Sequence, residues 1–255
     1  MTISELYRAL HERYPKSLSC PWDHDGMMVS ADPKRTVKKA VLSLDATDET
    51  IREAAEMGAD VLVTHHPLLF RPLESVTPLT LSGRRVLLAL RGGVSVFSFH
   101  TRLDAADGGV NDALAEALGL AVSENFGDDE SPSLGRIAVL PEPMDADAFA
   151  AHVKGALGAP TVQLTGNRPV QKIAIVGGDG KDFITPAILA GADTLLTGAA
   201  SYNTALDAPA SGLNVIEAGH YYTEAPVLHV LAEVIHELSG AECTVINSNQ
   251  TTVVL

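Results

Sequence analysis

Short apolar runs separated by amphipathic stretches set the pattern of this chain. Residues 38–64, KKAVLSLDATDETIREAAEMGADVLVT, contain an apolar run, a turn, a polar stretch with apolar residues three and four positions apart, and a second apolar run. This order predicts strand, helix and strand, because buried strands are short and apolar whereas helices repeat about every 3.6 residues. The βαβ pattern is typical of the α/β fold class with a parallel sheet.

The same pattern occurs twice in the chain. Residues 171–197, QKIAIVGGDGKDFITPAILAGADTLLT, align with 38–64 without a gap at a constant offset of 133. Each copy leads to a third apolar run that ends on a histidine, His100 in the first and His220 in the second. Two ordinary βαβ units could resemble each other by convergence. The identical residues at the constant offset and the matching terminal histidines instead favour a duplication. We therefore predict two βαβ-type repeats, whose strand ends would face one cleft.

The repeats divide the chain into three predicted segments. Residues 1–125 form the first α/β repeat, and residues 171–255 form the second. The stretch 126–170 between them contains the apolar run RIAVL and the alanine-rich stretch DADAFAAHVKGAL. These predict a connector with a short strand and a helix of its own.

Charge and composition narrow the classes of partner. Thirty-two acidic and eighteen basic side chains give a formal net charge of −14, which disfavours direct binding to nucleic acid or to an anionic membrane. A small-molecule substrate, even an anionic one, is compatible with this charge if bound metal dominates the local field. The N-terminal residues do not resemble a signal peptide, and no run of about 18 apolar residues occurs. We therefore expect a cytoplasmic protein.

Two adjacent histidines follow the apolar run 61–63 and precede Pro67. His65 and His66 therefore stand at the carboxyl end of a predicted buried strand, where open α/β sheets bind ligands. On an extended strand their side chains would point to opposite faces and address different metals, unless the strand bends at Pro67. We predict that both histidines are metal ligands.

Acidic residues follow the other two histidines at short spacing. Asp104 comes four residues after His100, and its carboxylate has enough lone pairs to bridge two cations. Glu224 comes four residues after His220, which would place both side chains on one face of a helix. Such pairs are also common on solvated helices. What favours a metal site here is that both pairs begin at the end of the third apolar run of their repeat. His100 is either a direct ligand or a catalytic group that orients Asp104 or polarises bound water, and we favour the second.

These residues together predict a divided metal centre. We expect two divalent ions per chain, held by His65, His66, Asp104, His220 and Glu224. Imidazole and carboxylate donors suit zinc, iron, manganese and cobalt, of which zinc or iron is our first choice. Neither Cys20 nor Cys243 has the spacing of a thiolate metal site.

Three segments resemble the signatures of a known family: THHPLLF at 64–70, HTRLDAADGGVND at 100–112 and AGHYYTE at 218–224. It is the dinuclear-metal-centre family labelled GTP cyclohydrolase I type 2 homologue, in its short form without an inserted middle domain. The resemblance covers essentially the whole chain and implies two metals in a cleft between intertwined repeats, held by the five ligands above. It also implies a homo-oligomer, a ring-shaped homohexamer. Three residues depart from the usual family pattern: Asp179, Ala199 and Asn203.

Two classes of function fit this sequence. The first is a metal-dependent hydrolase of cyclohydrolase or phosphoesterase type, in which metal-activated water attacks a small nucleotide or phosphorylated substrate. The alternative is a non-enzymatic metal-binding, metal-handling or adaptor protein whose metals stabilise the fold. Coordination distinguishes them, because open positions favour catalysis and a closed shell favours a structural metal.

Overall fold

The computed structural model describes residues 1–127 and 133–249. Residues 128–132 belong to the predicted connector 126–170, and residues 250–255 end the predicted second repeat; both stretches lie outside the described residues. Within the described residues, no helix combines the length and the apolar character that crossing a bilayer requires.

The helices and strands alternate along most of the chain. The helices are α1 (Ile3–Arg13), α2 (Asp48–Glu56), α3 (Leu81–Gly92), α4 (Thr101–Ala105), α5 (Val110–Ala117), α6 (Ala146–Leu157), α7 (Ile184–Leu189), α8 (Tyr202–Asp207), α9 (His220–Glu224) and α10 (Val227–Ser239). The strands are β1 (Gly26–Val29), β2 (Lys39–Ser43), β3 (Val61–Thr64), β4 (Ser95–Ser98), β5 (Val122–Phe126), β6 (Gly135–Met144), β7 (Gln163–Thr165), β8 (Val170–Asp179), β9 (Thr194–Ala199), β10 (Asn214–Glu217) and β11 (Glu242–Val245).

The chain folds into two compact units. The first comprises Met1–Leu103 and the described part of Leu228–Val253, and the second comprises the described part of Asp104–Val227. The chain therefore leaves the first unit after Leu103 and returns to it at Leu228, so this unit is built from two separate parts of the chain. The three segments 1–125, 126–170 and 171–255, which follow the repeat in sequence, stay a prediction.

Each unit contains one sheet with a parallel centre. The first sheet has the order β1-β4-β3-β2-β11, with β4, β3, β2 and β11 parallel and β1 antiparallel at the edge. The second has the order β5-β6-β8-β9-β10-β7, with β8, β9 and β10 parallel and the outer strands antiparallel. The strands β2, β3 and β4 thus correspond to β8, β9 and β10, which confirms the predicted α/β fold with two βαβ-type repeats.

The Gly-Ala-Asp turn shared by both repeats has the same structural role in each. Asp60 Oδ2 accepts a hydrogen bond from the backbone N–H of Lys39 at 3.0 Å, and Asp193 Oδ2 accepts one from Lys172 at 2.7 Å. Each carboxylate therefore fastens the turn before the second strand of its repeat to the start of the first strand. A backbone donor that is partly removed from water needs such an acceptor, which explains why this residue is the same in both copies.

Each sheet is covered by apolar side chains of its own unit. In the first unit, Ile51 of α2 and Val86 of α3 belong to one buried cluster with Leu62 and Val96 of the central strands. Burial of each such side chain contributes roughly 1.5–3 kcal/mol. In the second unit, the strand and helix expected in the connector correspond to β6 and α6, and Phe149 of α6 is buried against the sheet. Packing of this kind fixes the carboxyl ends of the central strands, where the candidate residues lie.

Candidate metal centre

Three histidines of the first unit lie together at one edge of its sheet. Thr64 and Ser98 are register partners at the ends of the parallel strands β3 and β4, so the residues that follow them emerge side by side. His65, His66 and His100 each offer a ring nitrogen, and these atoms all lie within 4.8 Å of one another. This group could hold a metal ion.

The adjacent histidines share one face because the chain bends directly after β3. Thr64 Oγ1 donates a hydrogen bond to the carbonyl oxygen of His66 at 2.8 Å, which closes a tight turn around His65. The ring centroids of His65 and His66 are 4.9 Å apart. Of the two arrangements considered from the sequence, the structure shows the bend, and it begins two residues before Pro67.

An acceptor faces the Nδ1 atom of each ring. His65 Nδ1 lies 2.9 Å from the carbonyl oxygen of Phe99, and His66 Nδ1 lies 2.8 Å from Asp45 Oδ1. His100 Nδ1 lies 3.1 Å from Asp23 Oδ1. Carbonyl and carboxylate oxygens only accept hydrogen bonds, so the partners of His65 and His66 place a proton on Nδ1 of each of these two rings. Metal-binding histidines are held by their second nitrogen in this way.

Two buried carboxylates fix the start of α4 next to His100. Asp23 Oδ2 accepts hydrogen bonds from the Thr101 N–H at 3.0 Å and from its hydroxyl at 2.6 Å, and Asp25 Oδ2 accepts one from the His100 N–H at 3.0 Å. Burial alone would raise the pKa of both carboxyls. At Asp23 the contacts with His100 and Thr101 outweigh burial, at Asp25 the Arg102 guanidinium does, and both pKa values are lowered. Both groups are therefore anionic near neutral pH.

Asp23 and Asp25 were not identified from the sequence as site residues. They lie in the segment PWDHDG at 21–26. The available signal was two acidic residues in a short loop, which is common on protein surfaces. Their burial becomes apparent only when the loop is placed against α4.

Replacing Asp45 with asparagine is expected to weaken zinc binding by about tenfold to hundredfold, the range seen when a carboxylate behind a metal-binding histidine is lost. The change removes the negative charge beside His66 Nδ1. Competition with a chromophoric chelator would measure the zinc affinity. The matched control is Asp32→Asn, since the Asp32 side chain accepts a bond from the Lys34 N–H in an exposed turn. Equal zinc affinity in wild type and in a folded Asp45→Asn variant would contradict this role.

His220 and Glu224 form a pair in the second unit. They lie four residues apart on α9, as their spacing predicted, and His220 Nε2 is 3.1 Å from Glu224 Oε1. The Glu224 carboxylate is buried, whereas the His220 side chain is half-exposed. Imidazole and carboxylate donors at this separation can bind one cation from a single helical turn.

Glycines at the ends of β8 and β9 leave the space that this pair occupies. Gly178 has a φ of +69°, and a Cβ there would collide with Glu224 Oε1. A Cβ at Gly198 would lie 2.7 Å from His220 Cα. Gly198 aligns with His65 of the first repeat, so the close approach of α9 explains why the second copy has no side chain at this position. The glycine-rich end of β8 therefore shapes the surroundings of the histidine and glutamate.

The structure thus brings the predicted ligands together in two groups. His65 and His66 lie with His100 in the first unit, and His220 lies with Glu224 in the second. Asp104 lies on α4, where Asn111 Nδ2 donates to its backbone oxygen at 3.4 Å. Each group is placed within its own unit, so one centre built from all five residues stays a prediction.

Similar proteins place this chain in context. It matches the model of the family described as Duf34/NIF3 (NGG1p interacting factor 3) over residues 1–252. A Clostridium perfringens protein named "GTP cyclohydrolase 1 type 2 homolog" is 34% identical, with 98% of this chain and 97% of that protein covered. A Streptomyces coelicolor protein of the same name is 32% identical, with 93% and 86% covered.

Solved structures share the whole fold. Staphylococcus aureus protein SA1388 has a TM-score of 0.88 at 25% identity and covers 100% of this chain and 99% of its own. Reduced HcgD from Methanocaldococcus jannaschii has a TM-score of 0.81 at 27% identity, with coverage of 96% and 97%. Family match, relatives and structures agree over nearly the full length, and this chain therefore belongs to the Duf34/NIF3 family.

Proposed function

We propose that this protein is a metal-dependent hydrolase that acts on a small nucleotide or phosphorylated substrate. The main support is the convergence of His65, His66 and His100, whose ring nitrogens lie within 4.8 Å of one another at the carboxyl ends of β3 and β4. Five protein ligands shared by two ions leave a position for water at a metal, as in catalytic rather than structural zinc sites. The name of the two relatives, GTP cyclohydrolase 1 type 2 homolog, also supports hydrolysis.

The donor set fits the proposed pair of divalent ions. The proposed ligands are His65, His66, Asp104, His220 and Glu224. Such ions, when bound, lower the pKa of water and supply a nucleophile near neutral pH. Zinc and iron fit these nitrogen and oxygen donors best, and manganese and cobalt are also compatible.

The residues around the ligands have separate tasks in this proposal. Phe99 and Asp45 hold the rings of His65 and His66 in one orientation through their Nδ1 atoms. His100, held by Asp23, presents Nε2 to the reacting group and can take up or return a proton there. The Asp23 carboxylate stabilises the positive charge that the His100 ring carries after it takes up a proton.

Metal-loaded protein, purified without oxygen, is expected to hydrolyse at least one compound in a panel of nucleotides and phosphoesters. A chelator should abolish this turnover, and re-addition of metal should restore it. Product formation would be followed by chromatography, with His65→Ala as the inactive control. The non-enzymatic alternative would replace this proposal if protein holding two metal equivalents shows no turnover, while chelation still lowers its melting temperature.

A further inference from the structure

Two large aromatic side chains are exposed beside the histidine group. Trp22 is 54% exposed and Phe70 is 49% exposed, and their ring centroids are 6.0 Å apart. The same rings lie 6.0 Å and 6.3 Å from the His100 ring, both nearly perpendicular to it. Exposed apolar surface next to convergent polar groups is typical of a ligand-binding site.

Hydrogen bonds on both sides of Trp22 hold its loop in place. The Cys20 N–H donates to Thr101 Oγ1 at 2.9 Å, and Asp23 accepts from the same hydroxyl at 2.6 Å. Phe70 follows His66 by four residues in the segment that begins at Pro67. Phe70 therefore lies on the segment that carries His65 and His66, and the loop of Trp22 is hydrogen-bonded to Thr101, the residue after His100. A rigid aromatic surface binds a planar ring with little ordering cost.

A cavity of about 500 Å³ adjoins Phe70 in the same unit. Its charged lining residues are Arg71, Glu74 and Arg85, which leave one net positive charge in a chain of formal charge −14. Hydroxyl groups also line it, from Ser75, Thr80 and Ser82. Arg85 Nε contacts Asp48 at 3.4 Å, but a guanidinium has five N–H donors, so others remain for an anion. Arginine recognises phosphate by charge and by paired hydrogen bonds.

We propose that Trp22 and Phe70, whose ring planes are tilted by 52°, form an aromatic platform on which the planar ring of the substrate stacks against one ring and contacts the other with its edge, and that Arg71 and Arg85 bind its phosphate. The ligand class is then a heteroaromatic ring with a phosphate group, such as a nucleoside monophosphate. This inference deepens the proposed function, since the platform would hold the substrate beside His100. Stacking of a base on an aromatic side chain is sequence-tolerant, because every base has a π-face.

Trp22 is the one tryptophan of the chain, so its fluorescence reports on the platform alone. Adenosine 5′-monophosphate, adenosine and ribose 5-phosphate would be titrated into metal-free and metal-loaded protein. We expect saturable quenching by the nucleotide, weaker binding of adenosine, and no quenching by ribose 5-phosphate, which should compete only through the arginines. Equal affinity for the nucleotide and ribose 5-phosphate, with no quenching by either ring compound, would overturn the platform.

Variants separate the ring contacts from the anion contacts. Calorimetry should show that Phe70→Ala and Trp22→Ala each bind the nucleotide about tenfold to hundredfold more weakly, while Trp22→Phe retains most of the affinity. Arg71→Ala should weaken the nucleotide but not adenosine. Leu90→Ala, which removes an exposed apolar side chain of α3, is the matched control and should bind as wild type. Wild-type affinity in folded Trp22→Ala and Phe70→Ala variants would disprove the platform.

The outcomes also distinguish this inference from the hydrolase proposal. Quenching and variant effects without turnover by the metal-loaded protein would refute the hydrolase and leave the platform standing. Metal-dependent turnover of a phosphate compound that neither ring variant changes, in KM or in binding, would refute the platform and leave the hydrolase standing.

Discussion

Replacing His65 with alanine is expected to remove at least one of two metal equivalents per chain, together with most of the stabilisation by metal. His65 is buried, and its Nδ1 atom lies 2.9 Å from the Phe99 carbonyl oxygen, so its Nε2 atom is presented in one fixed direction. No neighbouring side chain can reproduce this position after truncation to a methyl group. Metal at about a hundred times its dissociation constant stabilises a folded protein by about 2.7 kcal/mol, or about 5–10 °C in Tm at this chain length.

Elemental analysis and thermal unfolding with and without zinc would measure both effects. Wild type should show the full rise in Tm, and His65→Ala should show little or none. The control is His229→Ala, because His229 is exposed on α10 and was not assigned to the metal centre. If His65→Ala retained two metal equivalents and the full rise in Tm, the ligand assignment would be wrong.

The repeated part of the fold could be predicted because its identities have local causes. Asp60 and Asp193 each fasten one turn to one strand by backbone hydrogen bonds, so the same residue is needed at the same spacing in both copies. Alternation of apolar runs and amphipathic stretches then gives strand, helix and strand without knowledge of distant contacts. Constraints between residues that lie within about thirty positions of each other can be recognised in a sequence.

The remaining strands depend on distant or exposed contacts. Strand β11 pairs in parallel with β2, although about two hundred residues separate them, and no local pattern indicates that partner. Strand β5 pairs with β6, but its residues are exposed except Phe126, so it lacks the apolar signal of a buried strand. Strands of this kind are determined by the edges that the rest of the fold leaves open.

The candidate site also combines features with local causes, which could be predicted, and features that depend on distant contacts, which could not. The spacing of His220 and Glu224 predicted their shared helical face, because four residues make about one helical turn. The bend that joins the rings of His65 and His66 was one of two alternatives, since it depends on a side-chain hydrogen bond from Thr64. The support from Asp23 and Asp25 comes from a separate loop, about 77 residues before the groups that they contact, and spacing carries no signal for it.

Substitution of Arg102 by methionine is expected to lower the free energy of unfolding by about 3–5 kcal/mol, the usual cost of removing one partner from a buried ion pair. Arg102 is 1% exposed, and its guanidinium donates two hydrogen bonds of 2.8 Å to the two oxygens of Asp25. It also donates to the Tyr14 carbonyl at 3.1 Å and lies 5.3 Å from the centroid of Phe99. Without the guanidinium, the Asp25 carboxylate stays buried while much less of its negative charge is compensated.

Chemical denaturation of wild type, Arg102→Met, Asp25→Asn and the double variant would test this as a double-mutant cycle. Lys16 also contacts Asp25, but its side chain is 44% exposed and cannot replace a buried guanidinium. Arg52→Met is the control, because Arg52 is 52% exposed and pairs with Asp48 at 3.8 Å, so its loss should cost less than about 1 kcal/mol. The double variant should lose less than the sum of the single variants, since neither charge is then left alone. Additive losses, or a cost for Arg102→Met as small as that for Arg52→Met, would show that the buried pair of Arg102 and Asp25 does not make the predicted contribution to stability.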